Sequence, residues 1–299
     1  MDKNEIATTF ALHIPEKWEN VTIEGLLRTK WKAPKKLVHS IRMEKGITVN
    51  GIHESWKKEL TPGDILRFHG LYESNNDVTP VDHSIEVLYE DSHLLVVNKP
   101  FNMNTHPNSP GETNTLANGV AFHLQSNGER CRAQHIHRLD QDTTGAVIFA
   151  KHALSKSILD RLLAERKVKR TYLALVHGIV EKKSGVIDKS IGRDRHHNTR
   201  RRISPSGQTA ITHFRVINAD LIRKLTLVEI HLDTGRTHQI RVHMSAIGHP
   251  LAGDALYGGK SIFPRQALHA RRIVFPHPLT EEKICCEAGF LDKTPIFNN

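Results

Sequence analysis

The sequence predicts an α+β protein: a mixed, mainly antiparallel sheet with a small α+β unit ahead of it. Three observations lead there. Downstream of Ser84, strand-like runs follow one another with few helices between them, which favours antiparallel pairing over a doubly wound parallel sheet. Between Val21 and Phe68, helical periodicity gives way to short strands bounded by turn signals. A length of 299 residues suits one large domain plus a small one, since domains commonly run to ~100–200 residues. The expected division is a first unit over 15–75, a linker over 76–84 and a second unit over 85–299.

In chain order, VTIEGLLRTKW and APKKLVHSIRMEKG read as two helices. ITVNGIHESWKKELTPGDILRF reads as short strands, with a hairpin signal at Asn50-Gly51 and a turn at Pro62 to Asp64. The polar run YESNNDVTPVDHS supplies the linker. SIEVLYE and HLLVVNKP form a hairpin around Asp91 and Ser92, and TLANGVAFHLQ a helix. GAVIFAK is an interior strand, with Gly145 as turn punctuation, and ALSKSILDRLLAER places Leu154, Ile158 and Leu162 on one helix face. RTYLALVHG, ITHFRVIN, LTLVEIHL, LHARRIVF and KICCEA are further strands, and THQIRVHMSAIG a short helix.

The formal net charge of +10 favours an anionic partner. Arg28, Lys30, Lys32, Lys35, Lys36, Arg42 and Lys45 face only Glu44 within their stretch, a single-sign cluster suited to RNA phosphates. A second basic run, RDRHHNTRRR, is expected to be an RNA-contacting loop. A membrane-surface reading fails because neither cluster opposes a strong apolar helix face. The N-terminal residues have no signal-peptide core, and no window approaches the ~18 apolar residues of a spanning helix, so a cytoplasmic protein is expected. Cys131, Cys285 and Cys286 form no CxxC pair and are read as core thiols, and the histidine pairs lack a matching acidic or thiol ligand for a metal.

Asp140, in QHIHRLDQDTTG, has an ordinary reading as a carboxylate capping the following turn. A second segment changes that. Arg241 falls near the start of the THQIRVHMSAIG helix, where the helix dipole opposes a cation, so a carboxylate from elsewhere should answer it.

HRLDQDTTG, RTYLALVHG, GRTHQIRVH, LLVVNKP and HPLAGDALYG, in their order, resemble the RluA-type family of RNA pseudouridine synthases. The helices with GITVNG and LTPGDILRF resemble the alpha-L RNA-binding motif of ribosomal small-subunit protein four, which often precedes such a domain. The resemblance implies that Asp140 is the catalytic aspartate, Tyr172 the tyrosine that stacks on the target base and Arg241 the arginine paired with the aspartate. It places Arg138 in the space left by the flipped nucleotide and Ile240 in the apolar wall of the pocket. Thr144 replaces the family's usual serine and keeps its hydroxyl; Asn102 replaces a common glycine and tolerates a left-handed backbone.

These residue types suit the chemistry. Uracil must leave the ribose, turn and rejoin through C5, so one carboxylate has to stabilise the sugar or take a proton from it, and an arginine can hold that carboxylate charged and aimed. A flat tyrosine cages a base without fixing a hydrogen-bond pattern. The nucleotide must first be unstacked, at a cost of a few kcal/mol, which favours loops. A hydrolytic glycosidase would want two facing carboxylates, and neither Asp142 nor Asp254 is placed for it from sequence. The expectation is a monomeric enzyme without cofactor or metal acting on RNA, with large-subunit ribosomal RNA ahead of transfer RNA. The rival is a non-catalytic RNA-binding or ribosome-assembly protein.

Overall fold

The computed structural model describes residues 9–72, 78–129 and 131–297. It opens with β1 (Thr9–His13), whose burial alternates along the strand. A helical turn, α1 (Ile23–Gly25), is capped by the Thr22 hydroxyl, which accepts the Gly25 N–H, and runs into a π-helical turn over Leu26–Lys30. Then come α2 (Lys35–Met43), with Val38 and Ile41 buried, β2 (Ile47–Val49) and β3 (Ile65–His69). The strands form a small sheet in the order β1-β3-β2. The Asn-Gly signal is realised: Asn50 and Gly51 have φ of 51° and 83°, and Val49 and Ile52 exchange both backbone hydrogen bonds, as a twisted hairpin requires. Upstream of residue 15, β1 belongs to the same sheet, with Phe10 opposite Phe68.

The large unit contains β4 (Glu86–Glu90), β5 (Leu94–Lys99), α3 (Leu116–Ser126), β6 (Gln134–His135), β7 (Thr144–Ala150), α4 (Ala153–Ala164) and β8 (Lys169–His177). It continues with β9 (Ser184–Asp188), β10 (Ile191–Arg193), β11 (Arg201–Ile203), β12 (Ile211–Asp220), β13 (Leu225–Leu232), α5 (Gln239–Ala246), β14 (Leu268–Pro276) and β15 (Lys283–Glu287). Its sheet runs β4-β5-β7-β14-β8-β13-β12-β9, with β6 added to β7 and β15 to β14. Every pairing is antiparallel except β7 with β14. At that contact Gly145 does not punctuate a turn; it lies inside β7 at φ 114°, and a Cβ there would sit 2.3 Å from the Ala270 carbonyl oxygen. Close strand approach is what demands glycine here.

The apolar run that opens β5, Leu94 to Val97, is explained by burial on both faces. Leu94 and Val96 join a core that also holds Phe10, Trp31, Phe68, Ile148 and Leu154, whereas Leu95 and Val97 join a second core with Val147, Tyr172, Val228 and Ile240. The N-terminal unit therefore shares its core with one face of the large sheet. Phe10 stacks on the buried His152 at a centroid distance of 4.8 Å.

Of the expected linker, residues 76 and 77 lie outside the described residues. The remainder is packed on α3: the Asn118 amide donates to the Thr79 carbonyl at 2.7 Å, and Val81 N–H donates to the Asn118 carbonyl at 3.2 Å. The cysteine expectation needs one correction. Alternation along β15 buries Cys286 and exposes its neighbour Cys285, so only Cys131 and Cys286 are core thiols. Among the described residues, no helix is long and apolar enough to cross a membrane.

Candidate active site

A cleft of about 610 Å³ is framed by the segment before β7, the end of α4, the start of β8 and the turn between β13 and α5. Asp140, Tyr172, Arg241, Arg138 and Ile240 all line it. The Asp140 carboxylate is partly open to solvent, with 21% of its side chain exposed. Its backbone is fixed on both sides. Thr105, buried, donates its hydroxyl to the Leu139 carbonyl and accepts the Leu139 N–H at 3.0 and 3.1 Å. Lys99, also buried, spends its ammonium group on the carbonyls of Gln141, Met103 and Pro100 at 2.8, 2.6 and 2.9 Å. Burial pushes the Lys99 amine down to about 7, against the pull of Asp140 and Asp142. Asn102, in the loop that Lys99 grips, has φ 57°, the left-handed backbone expected of an asparagine in place of glycine.

Arg241 is buried near the start of α5 and answered by two carboxylates. Its Nη1 donates to Asp140 Oδ2 at 3.2 Å, while Nε and Nη2 form a bidentate pair with Asp254 at 2.7 and 2.9 Å. Burial disfavours the cation, but the Asp254 and Asp140 carboxylates outweigh it and raise its pKa. The anion missing from the sequence argument is thus mainly Asp254, and Asp140 is the second partner. Tyr257 lies against the same guanidinium, 5.0 Å from ring centre to Cζ, a cation–π distance.

His238 connects these groups. Tyr257 Oη accepts the Arg201 N–H at 2.8 Å and shares a hydrogen bond with His238 Nδ1, also at 2.8 Å. The other ring nitrogen, Nε2, lies 3.8 Å from Asp140 Oδ2. Burial lowers the His238 pKa, keeping the ring neutral. The residue holds a left-handed φ of 58° without being glycine, strain that the loop sustains through buried Gln239. Gln239 accepts from Arg236 N–H and the Thr234 hydroxyl and donates to the Ile211 carbonyl and Thr212.

Tyr172 is almost fully buried, at 4% exposure, and forms part of the cleft wall from β8. Burial raises its pKa, so the phenol stays protonated. Arg170, two residues earlier on the same strand, also lines the cleft, and its Nε is buried without a partner among the described residues. Arg138 is exposed at the rim, and Ile240 is buried beneath it in the second core.

The second carboxylate decides against glycoside hydrolysis. Asp254, with 1% of its side chain exposed, is consumed by Arg241, and Asp142 does not line the cleft. Asp160 and Asp233, the other carboxylates that line the cleft, are paired with Lys156 and Arg166, so among the described residues no unpaired acid lines it beside Asp140, as hydrolysis demands.

The chain matches the family model described as RNA pseudouridylate synthase over residues 93–246, the span that carries Asp140, Tyr172 and Arg241. It belongs to that family. A second model, the RluD ribosomal pseudouridine synthase N-terminal domain, matches residues 10–66. The uncharacterized RNA pseudouridine synthase YhcT of Bacillus subtilis is 48% identical over 93% of this chain and 92% of its own. Ribosomal large subunit pseudouridine synthase D of Vibrio vulnificus is 41% identical over 80% and 77% of the two chains. Among solved structures, human RNA pseudouridylate synthase domain containing 1 is 28% identical, with a TM-score of 0.55 over 69% of this chain and 83% of that one. The protein is therefore an RNA pseudouridine synthase, an isomerase acting on RNA, with the mixed, mainly antiparallel fold expected.

None of the seven N-terminal cations lines the synthase cleft. Arg28 and Arg42 share Glu24 at 3.2 and 3.5 Å, Arg42 also stacks over Trp56, and Lys30 pairs with Glu281 at 3.1 Å. Lys32, Lys35, Lys36 and Lys45 are exposed and have no carboxylate within ion-pair distance among the described residues. The RDRHHNTRRR run is the tip of a two-stranded ribbon, β10 with β11, whose Arg201 backbone meets Tyr257.

Proposed function

We propose that Asp140 carries the isomerisation, and that Arg241, braced by Asp254, aims its carboxylate. The observation that carries this reading is one guanidinium binding a locked carboxylate bidentately and an accessible one singly, at the wall of a cleft that also holds Tyr172. Uridine and pseudouridine are isomers. The N1–C1′ bond breaks, a C5–C1′ bond forms, and the proton on C5 is lost as N1 gains one, so the reaction consumes neither water nor electrons. Asp140 acts either on C1′ as a nucleophile or on a sugar proton as a base; both roles use the ionised form. Tyr172 and Ile240 confine the detached base while it turns, and Arg138 at the rim fills the place the nucleotide leaves in the RNA.

The substrate in this reading is large-subunit ribosomal RNA. Support comes from the relative named ribosomal large subunit pseudouridine synthase D and from the match to the RluD N-terminal domain. The division into an N-terminal RNA-binding unit, with Lys32, Lys35, Lys36 and Lys45 as its phosphate contacts, and a synthase unit belongs to the same proposal. Mapping pseudouridines in total RNA from cells with and without the protein tests it. A site lost from large-subunit ribosomal RNA is expected, and a loss confined to transfer RNA refutes the substrate.

A further inference from the structure

A second cavity, of about 620 Å³, adjoins the synthase cleft. One continuous segment lines both. Gln134 and His135 line the second cavity, whereas Ile136 to Asp140 line the cleft. Asp140 lies five positions after His135, at most about 18 Å of chain, which is within reach of neighbouring nucleotides on one RNA strand. α4 joins them as well, with Lys156 in the second cavity and Asp160 in the cleft.

The second cavity is built around two imidazoles. His106 and His135 lie parallel, 4.5 Å between centroids and 16° between planes, and His135 is backed by the Phe149 edge at 6.3 Å. Burial pushes His135 down to about 4 and also lowers His106, which Arg138 lowers further, so the stacked pair is uncharged at neutral pH. His106 Nδ1 is buried with no partner among the described residues. The basic side chains around it are Lys156 and Arg132 in the cavity and Arg138 at its border with the cleft. Among the described residues that line the cavity, the one carboxylate, Glu112, has its two oxygens engaged by Asn104 and the Asn108 N–H. Lys156 pairs with Asp160 in a half-exposed contact of the kind that contributes little and exchanges readily.

We propose that this cavity holds a nucleotide of the RNA strand flanking the reacting uridine, its base stacked on His106 and its phosphate met by Arg138 and Lys156. Stacking on a neutral aromatic pair tolerates any base, so the subsite contributes strand position rather than sequence choice. It also gives the unstacked RNA a replacement stacking partner beside the position from which the uridine is withdrawn. The proposal rests on the cleft being the uridine site, but its test reads binding and needs no turnover, so the two can fail separately.

The probe is a set of hexauridylates in which 2-aminopurine replaces one position at a time, titrated into the wild type, His106→Ala and His106→Phe. Quenching of 2-aminopurine at one or two adjacent positions is expected in the wild type and in His106→Phe. His106→Ala should lose that quenching and bind roughly fivefold or more weakly. Identical affinity and fluorescence in all three proteins overturns the proposal. A loss of turnover in His106→Ala with unchanged binding and quenching overturns it too, because it would assign His106 to the chemistry. A wild-type measurement covers poor folding of either variant: hexauridylate should protect His106 from carbethoxylation by diethylpyrocarbonate. Full reactivity at saturating RNA rules out the stacked base.

Discussion

Arg241 and Asp254 form a buried bidentate pair, 2.7 and 2.9 Å, and Asp254 thereby leaves only one guanidinium nitrogen, Nη1, turned to Asp140. Two carboxylates share one cation, but unequally: one is fixed and sealed, the other partly open to the cleft.

This inequality predicts that Asp254→Asn costs both stability and rate. Removing one partner of a buried ion pair is worth about 3–5 kcal/mol of stability, and Arg241 is freed to swing fully onto Asp140. Turnover should fall by about a hundredfold or more, with RNA affinity changed by less than about fivefold. Chemical denaturation, single-turnover rates and equilibrium binding measure the three quantities. An unchanged rate would mean that Arg241 keeps its aim without Asp254.

Tyr172 is a wall residue with 4% exposure, so its ring matters more than its hydroxyl. Tyr172→Phe should stay within about tenfold of the wild-type rate. Tyr172→Ala opens a cavity costing about 3–5 kcal/mol and should lose most activity. Single-turnover rates separate the two, and a large loss in the phenylalanine variant would give the hydroxyl, and its neighbour Arg170, a direct part.

Lys99 makes a pH-dependent contribution. Its folded pKa of about 7 lies below the ordinary 10.5, so between those values the unfolded chain holds a proton that the folded chain does not. Stability from this group therefore rises with pH across that window, by at most about 1.4 kcal/mol per pH unit, and is flat below it. The measurement is the difference between wild type and Lys99→Met in denaturant midpoints from pH 6 to 10. The wild type should gain on the variant as pH rises, and parallel profiles would contradict the assignment.

The N-terminal unit is fused to the large sheet through a shared core, so truncating it would expose Leu94 and Ile148. Charge removal is the cleaner test. Replacing Lys32, Lys35, Lys36 and Lys45 by glutamine should flatten the slope of log affinity against log salt by about two to three units, at ~0.7 per phosphate contact on single-stranded RNA. The single-turnover rate at saturating RNA should be nearly unchanged. Equal slopes would remove these lysines from the RNA interface.

Much of this was legible because patterning and packing agree. The alternation and apolar runs of β5, β7, β8 and β13 mark strands, the Asn50-Gly51 pair marks a hairpin, and the motif residues Asp140, Tyr172 and Arg241 converge on one cleft. What stayed hidden depends on long-range contact. Asp254 and Tyr257 sit in a segment whose local chemistry resembles a plain turn, and only folding brings them to Arg241 and His238. Lys99 and Thr105 hold the Asp140 loop from positions 41 and 35 residues upstream, through backbone carbonyls and an N–H that no side-chain pattern reveals. Gly145 looked like turn punctuation because a glycine's need for space is visible only when β14 is beside it. The basic cluster looked uniform, yet Glu24 and Glu281, from two different parts of the chain, claim three of its seven cations.

The central claim, that the Asp140 carboxylate performs the isomerisation, is tested most directly by Asp140→Asn, which keeps the side-chain shape but removes the charge. Total RNA from cells lacking the protein is incubated with wild-type or variant enzyme and its pseudouridines are mapped, with binding to the same RNA measured alongside. The predicted result is that the wild type restores the missing modification while the variant binds comparably and restores none within the limit of detection. Conversion by Asp140→Asn within about tenfold of the wild-type rate would contradict the account.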